Sequence, residues 1–179
     1  MRFENVQAVP IILIICFLSE IVSRVEFTNI KCISHDLEFA EVEYCYLKSV
    51  NRSYKYASMK TKLYKTPIND ATVNLAVFKR MSGYKPFLYN VTVDGCKFLK
   101  HKKSYPVANY LYSLFGSHSN MNHSCPYDHD IIVDKLTTDF LNSQVTKVLP
   151  FPEGDYLLKT KWFVYGILRV SINVYITLS

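Results

Sequence analysis

Asp94-Gly95-Cys96-Lys97-Phe98-Leu99 and His123-Ser124-Cys125-Pro126-Tyr127-Asp128 are the stretches on which the reading of the chain turns. With what lies between them, they read as strand, short helix, loop, strand, and Cys96 is placed to bond Cys125. Upstream, Phe87, Tyr89, Val91 and Val93 alternate with Leu88, Asn90, Thr92 and Asp94. A period of two marks a strand with one buried face. Asn90 and Thr92 are polar, so the aromatic and β-branched set is expected to point inward. After Cys96 the period changes. Pro106 suits the first turn of a helix. Val107, Tyr110, Leu111, Leu114 and Phe115 follow at helical spacing, and Gly116 can cap the end. A helix this short is marginal alone, so it is expected to lie on a sheet, held by its apolar face and the disulfide.

The same period of two recurs on both sides of this centre. A strand over 25–33 and a return over 37–50 flank the turn Ser34-His35-Asp36. On the return, Ala40, Val42, Tyr44 and Tyr46 share one side. Further strands are expected over 52–65, 72–80 and 129–136, with a weaker one over 137–149. A closing hairpin of 156–165 and 167–178 turns about Gly166. In its last strand Leu168, Val170, Ile172, Val174, Ile176 and Leu178 alternate with Arg169, Ser171, Asn173, Tyr175 and Thr177. The chain holds 14 Tyr and 11 Phe against 5 Gly, a balance that favours strands over loops. The expected fold is mainly β, an antiparallel β-sandwich with one short helix between the last two cysteines.

The 179 residues suffice for one domain with a core. Its first 23 residues read differently. Val9 to Leu18, VPIILIICFL, follows Arg2 and precedes the small residues Ser19 and Ser23. That is the pattern of a secretory signal peptide, and the run falls short of the roughly 20 residues a membrane span needs. The domain is therefore expected over 24–179, secreted and extracellular. Cys16 would leave with the leader. Cys32, Cys45, Cys96 and Cys125 remain, an even number suited to two disulfides in an oxidising compartment. Three pairings are open. The local one, Cys32–Cys45 and Cys96–Cys125, is favoured because each pair brackets one unit, the first stapling the N-terminal hairpin. Three glycosylation triplets, at Asn51, Asn90 and Asn122, agree with export.

The formal charge is +6, with the basic excess spread from Lys48 to Lys103. Spread in this way it reads as a solvated sheet face, or as a weak attraction to anionic surfaces. Nucleic acid is not expected as a partner of an exported chain. No nucleophile elbow, zinc-protease helix or phosphate-binding glycine loop is present, so no enzymatic activity or cofactor is expected. His35 and Asp36 fall in a turn. His118, His123, Asp128, His129 and Asp130 are the only metal-like cluster. Their spacing matches no common site, and a loop rich in Asn, Ser and His bonds its own backbone, so no metal is assigned.

Five stretches carry a resemblance: FTNIKC from Phe27, NRSY from Asn51, GYKPFLYNVTVDGCKFL from Gly83, SNMNHSCPYDHDI from Ser119 and LPFPEGDYLLKTKWF from Leu149. Together they resemble a large insect family of small secreted proteins with a domain of unknown function. That family is similar to the ML lipid-recognition domains and the ganglioside activator protein, and it includes chemosensory proteins of the CheB type. The resemblance implies an immunoglobulin-like sandwich over 24–179 that holds a lipid or other apolar molecule between its sheets, with no catalytic residues.

The expected pocket lining is Phe87, Tyr89, Val91, Tyr110, Leu114, Phe115, Trp162 and Val164. Ligand cavities are mostly apolar with few polar groups, and these residues fit that description. The expected function is a secreted binding protein for a lipid-like or hydrophobic small ligand, chemosensory in role, with a membrane surface or receptor as a further contact. The alternative is an extracellular protein-interaction module whose core is filled and which takes no small ligand.

Overall fold

The computed structural model describes residues 24–51, 54–148 and 151–179; the leader expected over 1–23 lies outside the described residues. Among them are β1 (Val25–Ser34), β2 (Ala40–Ser49), β3 (Lys55–Leu63), β4 (Ala71–Met81), β5 (Gly83–Asp94), β6 (Ile131–Thr137), β7 (Gly154–Val164) and β8 (Ile167–Leu178). Three helices are interleaved with them: α1 (Gly95–Lys100), α2 (Pro106–Ser113) and α3 (Thr138–Val148). The strands form two antiparallel sheets, ordered β1-β8-β7-β4-β5 and β2-β3-β6. The β-sandwich expected from the alternation is what forms.

The N-terminal hairpin does not form. β1 pairs with β8, and β2 pairs with β3, so the two strands lie at the edges of different sheets. A register shift in each strand explains how their cysteines meet. In β1 the shift falls between Phe27 and Asn29, so Val25 and Phe27 face the core first, and Ile30 and Cys32 after it. In β2 it falls between Val42 and Tyr44, after which Cys45 and Leu47 take the core side. A bulge adds one residue and so reverses the parity of everything beyond it. This corrects the expected common face of Ala40, Val42, Tyr44 and Tyr46: Tyr46 is exposed.

The disulfides are the expected pairs, Cys32–Cys45 with Cα atoms 6.2 Å apart and Cys96–Cys125 at 5.2 Å. What they join differs from the expectation for the first. Cys32–Cys45 ties edge strand β1 of the larger sheet to edge strand β2 of the smaller one. Cys96–Cys125 lies at the opposite edge, linking the first turn of the helix that follows β5 to the loop that leads into β6. Both open sides of the sandwich are thus closed covalently.

The helices fill the gap on the β5–β6 side and at one end. α2 starts at Pro106, as expected, and buries Ala108 and Leu111. Gly116 does not cap it in a left-handed conformation. Instead, a Cβ there would lie 2.5 Å from atoms of the Tyr112 ring, so the glycine makes room for that ring. α1 was not foreseen. Asp94 caps it, its side chain accepting from the Lys97 N–H at 2.9 Å. α3 replaces the strand expected over 137–149. Leu141 and Val145, four residues apart, are buried apolar side chains on it, and the Thr137 hydroxyl accepts from the Phe140 N–H at 3.1 Å. Helical spacing and the cap outweigh the strand preference of Thr and Val in this segment.

The Lys97 N–H at Asp94, helped by the Lys97 ammonium 3.2 Å away, holds the Asp94 carboxyl below its ordinary value of 3.8. A lowered folded value means stability that is present above that ordinary value and lost as pH falls through the folded one. Asp94→Ala should therefore cost about 1 kcal/mol at neutral pH. Urea unfolding of both proteins checks this, and the difference between them should shrink once the pH is below the carboxylate range. A difference that stays constant with pH would refute the cap's ionic character.

Candidate functional site

The space between the sheets is not filled. Where the three-stranded sheet ends, rigid helices face the larger sheet, and the side chains of the two layers do not interlock throughout. Among the described residues this leaves cavities that include three of ≈ 120, ≈ 90 and ≈ 40 Å³. For scale, a cavity of about 150 Å³ lined by apolar side chains stays dry and accepts benzene.

The ≈ 120 Å³ cavity is walled by both sheets and two helices. Ala57 and Met59 of β3 face Trp162 of β7 and Ile172 of β8 across it, with Leu114 beyond the end of α2 and Val145 of α3 closing it. Its polar groups are few. The Ser58 hydroxyl accepts from the Lys135 N–H at 2.9 Å and donates to Asp134 at 3.3 Å. The Thr160 hydroxyl accepts from the Trp162 indole N–H at 2.9 Å. Tyr110 is different: its hydroxyl is buried without a hydrogen-bond partner among the described residues, and burial pushes the phenol up to about 12. A buried polar group left unpaired costs free energy that a phenylalanine would not.

The second cavity lies beside Arg169. The alternation in β8 put Arg169 opposite Val170 and outward, but the structure buries it to 9% exposure at the wall of this cavity. The β7–β8 ladder shifts here, Trp162 opposing Val170 and Phe163 opposing Leu168, which leaves Arg169 as the extra residue. Its guanidinium binds the Asp36 carboxylate and stacks 4.1 Å from the centre of the Phe39 ring, while its Nε has no partner.

Of the eight expected lining residues, Tyr110, Leu114, Phe115 and Trp162 border the ≈ 120 Å³ cavity. Val164 borders the second. Phe87, Tyr89 and Val91 do pack on the core, as their period implied, but they border none of the three. Phe87 instead packs against Phe151 and Tyr156, at 6.4 and 5.7 Å between ring centres, and Tyr89 packs against Tyr110 at 6.4 Å. The sequence reading missed Met121, because it stands in a stretch without periodicity. It also missed the β8 side chains Ile172, Val174 and Ile176 as lining, although their alternation put them on the inner face.

Outside the cavities, His123 and His129 meet at 3.0 Å between their Nε2 atoms. Among the described residues, no group of three or more His, Cys, Asp or Glu converges as a metal site would. Asn51, Asn90 and Asn122 are all exposed. No described helix is long and apolar enough to cross a membrane.

Residues 73–158 match the model of a protein family of unknown function, DUF1091. The match runs from β4 to the middle of β7, so it takes in the Cys96–Cys125 bridge, all three helices and Met121. It leaves out Cys32, Cys45, Trp162 and the whole of β8. No curated protein matches the chain.

Proposed function

We propose that this protein is a secreted carrier that binds a lipid-like or other apolar molecule between its two sheets. One observation carries the reading: adjoining apolar cavities between the layers of a sandwich whose open sides are both bridged by disulfides. An interior left unfilled forgoes packing energy that close contact supplies. A guest chain recovers it, at about 0.8 kcal/mol per buried CH₂. The unpaired Tyr110 hydroxyl supports a ligand that brings one hydrogen-bond acceptor to the wall. The two disulfides favour an oxidising compartment, hence export, and the exposure of Asn51, Asn90 and Asn122 leaves each open to a glycan. A chemosensory role rests on the resemblance to CheB-type proteins.

The chain has a single tryptophan, and Trp162 borders all three cavities. Its emission is therefore a built-in reporter. Titrating the disulfide-bonded protein with a fluorescent fatty-acid probe should change Trp162 emission in a saturable way, with energy transfer to the probe. Protein from insect cells should carry lipid visible in native mass spectra. Failure of both, with no saturable response to any apolar probe, would refute the carrier reading and favour the interaction module.

A further inference from the structure

Two side chains stand at the wall of each of the three cavities, Met121 and Trp162. The two are held very differently. Trp162 sits on β7, inside the five-stranded sheet, with its indole N–H tied to Thr160. It has little freedom to move. Met121 stands just outside regular structure, yet its backbone is pinned on both sides. Its N–H donates to the Ser119 hydroxyl at 3.0 Å, and its carbonyl accepts from the Tyr112 hydroxyl at 2.6 Å. The preceding residue is locked to β6: Asn120 exchanges bonds with the Ile132 backbone, its N–H donating at 3.2 Å and its side-chain oxygen accepting at 2.9 Å. So the Met121 backbone is a fixed post, and what remains free to turn is an unbranched thioether on three torsions. The side chain itself is buried, at 4% exposure.

This arrangement bears on ligand length. A chain too long for the ≈ 120 Å³ cavity has to continue into the ≈ 90 Å³ cavity beyond, and Met59, Met121, Trp162 and Ile172 border both; of these Met59, Trp162 and Ile172 stand on strands, whereas Met121 does not. Moving the indole would disturb the middle of a sheet. Moving the thioether needs only a change of rotamer. We infer that Met121 is the movable partition that sets the length of apolar chain this protein accepts. The inference rests on the carrier reading.

The experiment uses the full disulfide-bonded chain and a homologous series of straight-chain primary alcohols, competed against a fluorescent fatty acid. Each buried methylene should tighten binding about fourfold until the accessible space is full. In the unsubstituted protein that gain should stop at some length. In Met121→Ala it should continue further, so that chains a few methylenes past the original limit bind at least about tenfold tighter than to the unsubstituted protein. Met121→Phe, which keeps the core filled, should bring the limit to shorter chains, and Met121→Leu should leave it nearly unchanged. If the variants bind chains but share one length limit, the partition is overturned and the carrier reading stands. If the unsubstituted protein binds no member of the series and no probe, the carrier reading falls and the partition with it.

Discussion

Replacing Cys96 and Cys125 together by alanine is expected to be the most damaging change outside the sheets' own cores. The bridge spans 29 residues of sequence, and a closed loop of that size is worth about 3.5 kcal/mol through the entropy of the unfolded chain. Set against a typical total of about 5–15 kcal/mol, that is a large share. The structure adds a reason why the native state suffers too. On this side β5 and β6 are edge strands of different sheets, and no strand ladder joins them. The bridge, with the backbone pair of Ile68 and Tyr127 close by in the chain, holds the two layers together there. The urea midpoint of the double variant should fall by an amount equivalent to about 3 kcal/mol or more. The Trp162 response to apolar probes should weaken with it, because the cavities lie between the layers that would splay. A midpoint within about 0.5 kcal/mol of the parent, a shift typical of a neutral surface change, would show that the edge is closed without the bridge.

Ala57→Leu is expected to weaken ligand binding at least about tenfold without loss of stability. Ala57 is buried at 3% exposure on β3, the middle strand of the smaller sheet, and it borders the ≈ 120 Å³ cavity. Leucine there places three more carbons into space that is empty. Burying them is worth about 2.4 kcal/mol at 0.8 per carbon, less about 0.5–1 for the side chain's lost freedom. The net is a gain of about 1.5 kcal/mol. In a filled core the same substitution would overpack and cost about 1–3 kcal/mol. The sign of the change in unfolding free energy therefore decides whether the interior has room. Binding of the fatty-acid probe should fall at least about tenfold in the same variant, as the first methylenes of any guest lose their place. A destabilised variant that still binds would contradict both the cavity and its use.

These expectations rest on features that differ in how far the amino-acid sequence reveals them. Strand faces were legible where parity survived: β5 keeps Phe87, Tyr89, Val91 and Val93 on the core side while Leu88, Asn90 and Thr92 stay exposed, because the shift in its ladder with β4 between Asn90 and Pro86 adds two residues rather than one. They were illegible where a single-residue bulge intervened, as at Cys32, Tyr46 and Arg169, because one extra residue reverses every later position and leaves no mark in composition. The disulfide partners followed from their neighbourhood in the chain. That the first of them joins two sheets did not, since β1 finds its ladder partner in β8 at the far end of the chain.

The α3 segment shows a different failure. Thr137, Asp139 and the four-residue interval from Leu141 to Val145 form a helix signal, while the Thr and Val of the same segment favour a strand. What local residue order determined about this protein is its class: a cross-linked, aromatic-rich antiparallel sandwich with an apolar inner face. Only the folded structure decided that opposing inner faces fail to meet, and that Met121 and Trp162 stand in the gap. Periodicity states which way a side chain points. Whether another side chain arrives to touch it depends on the spacing of layers drawn from distant parts of the chain.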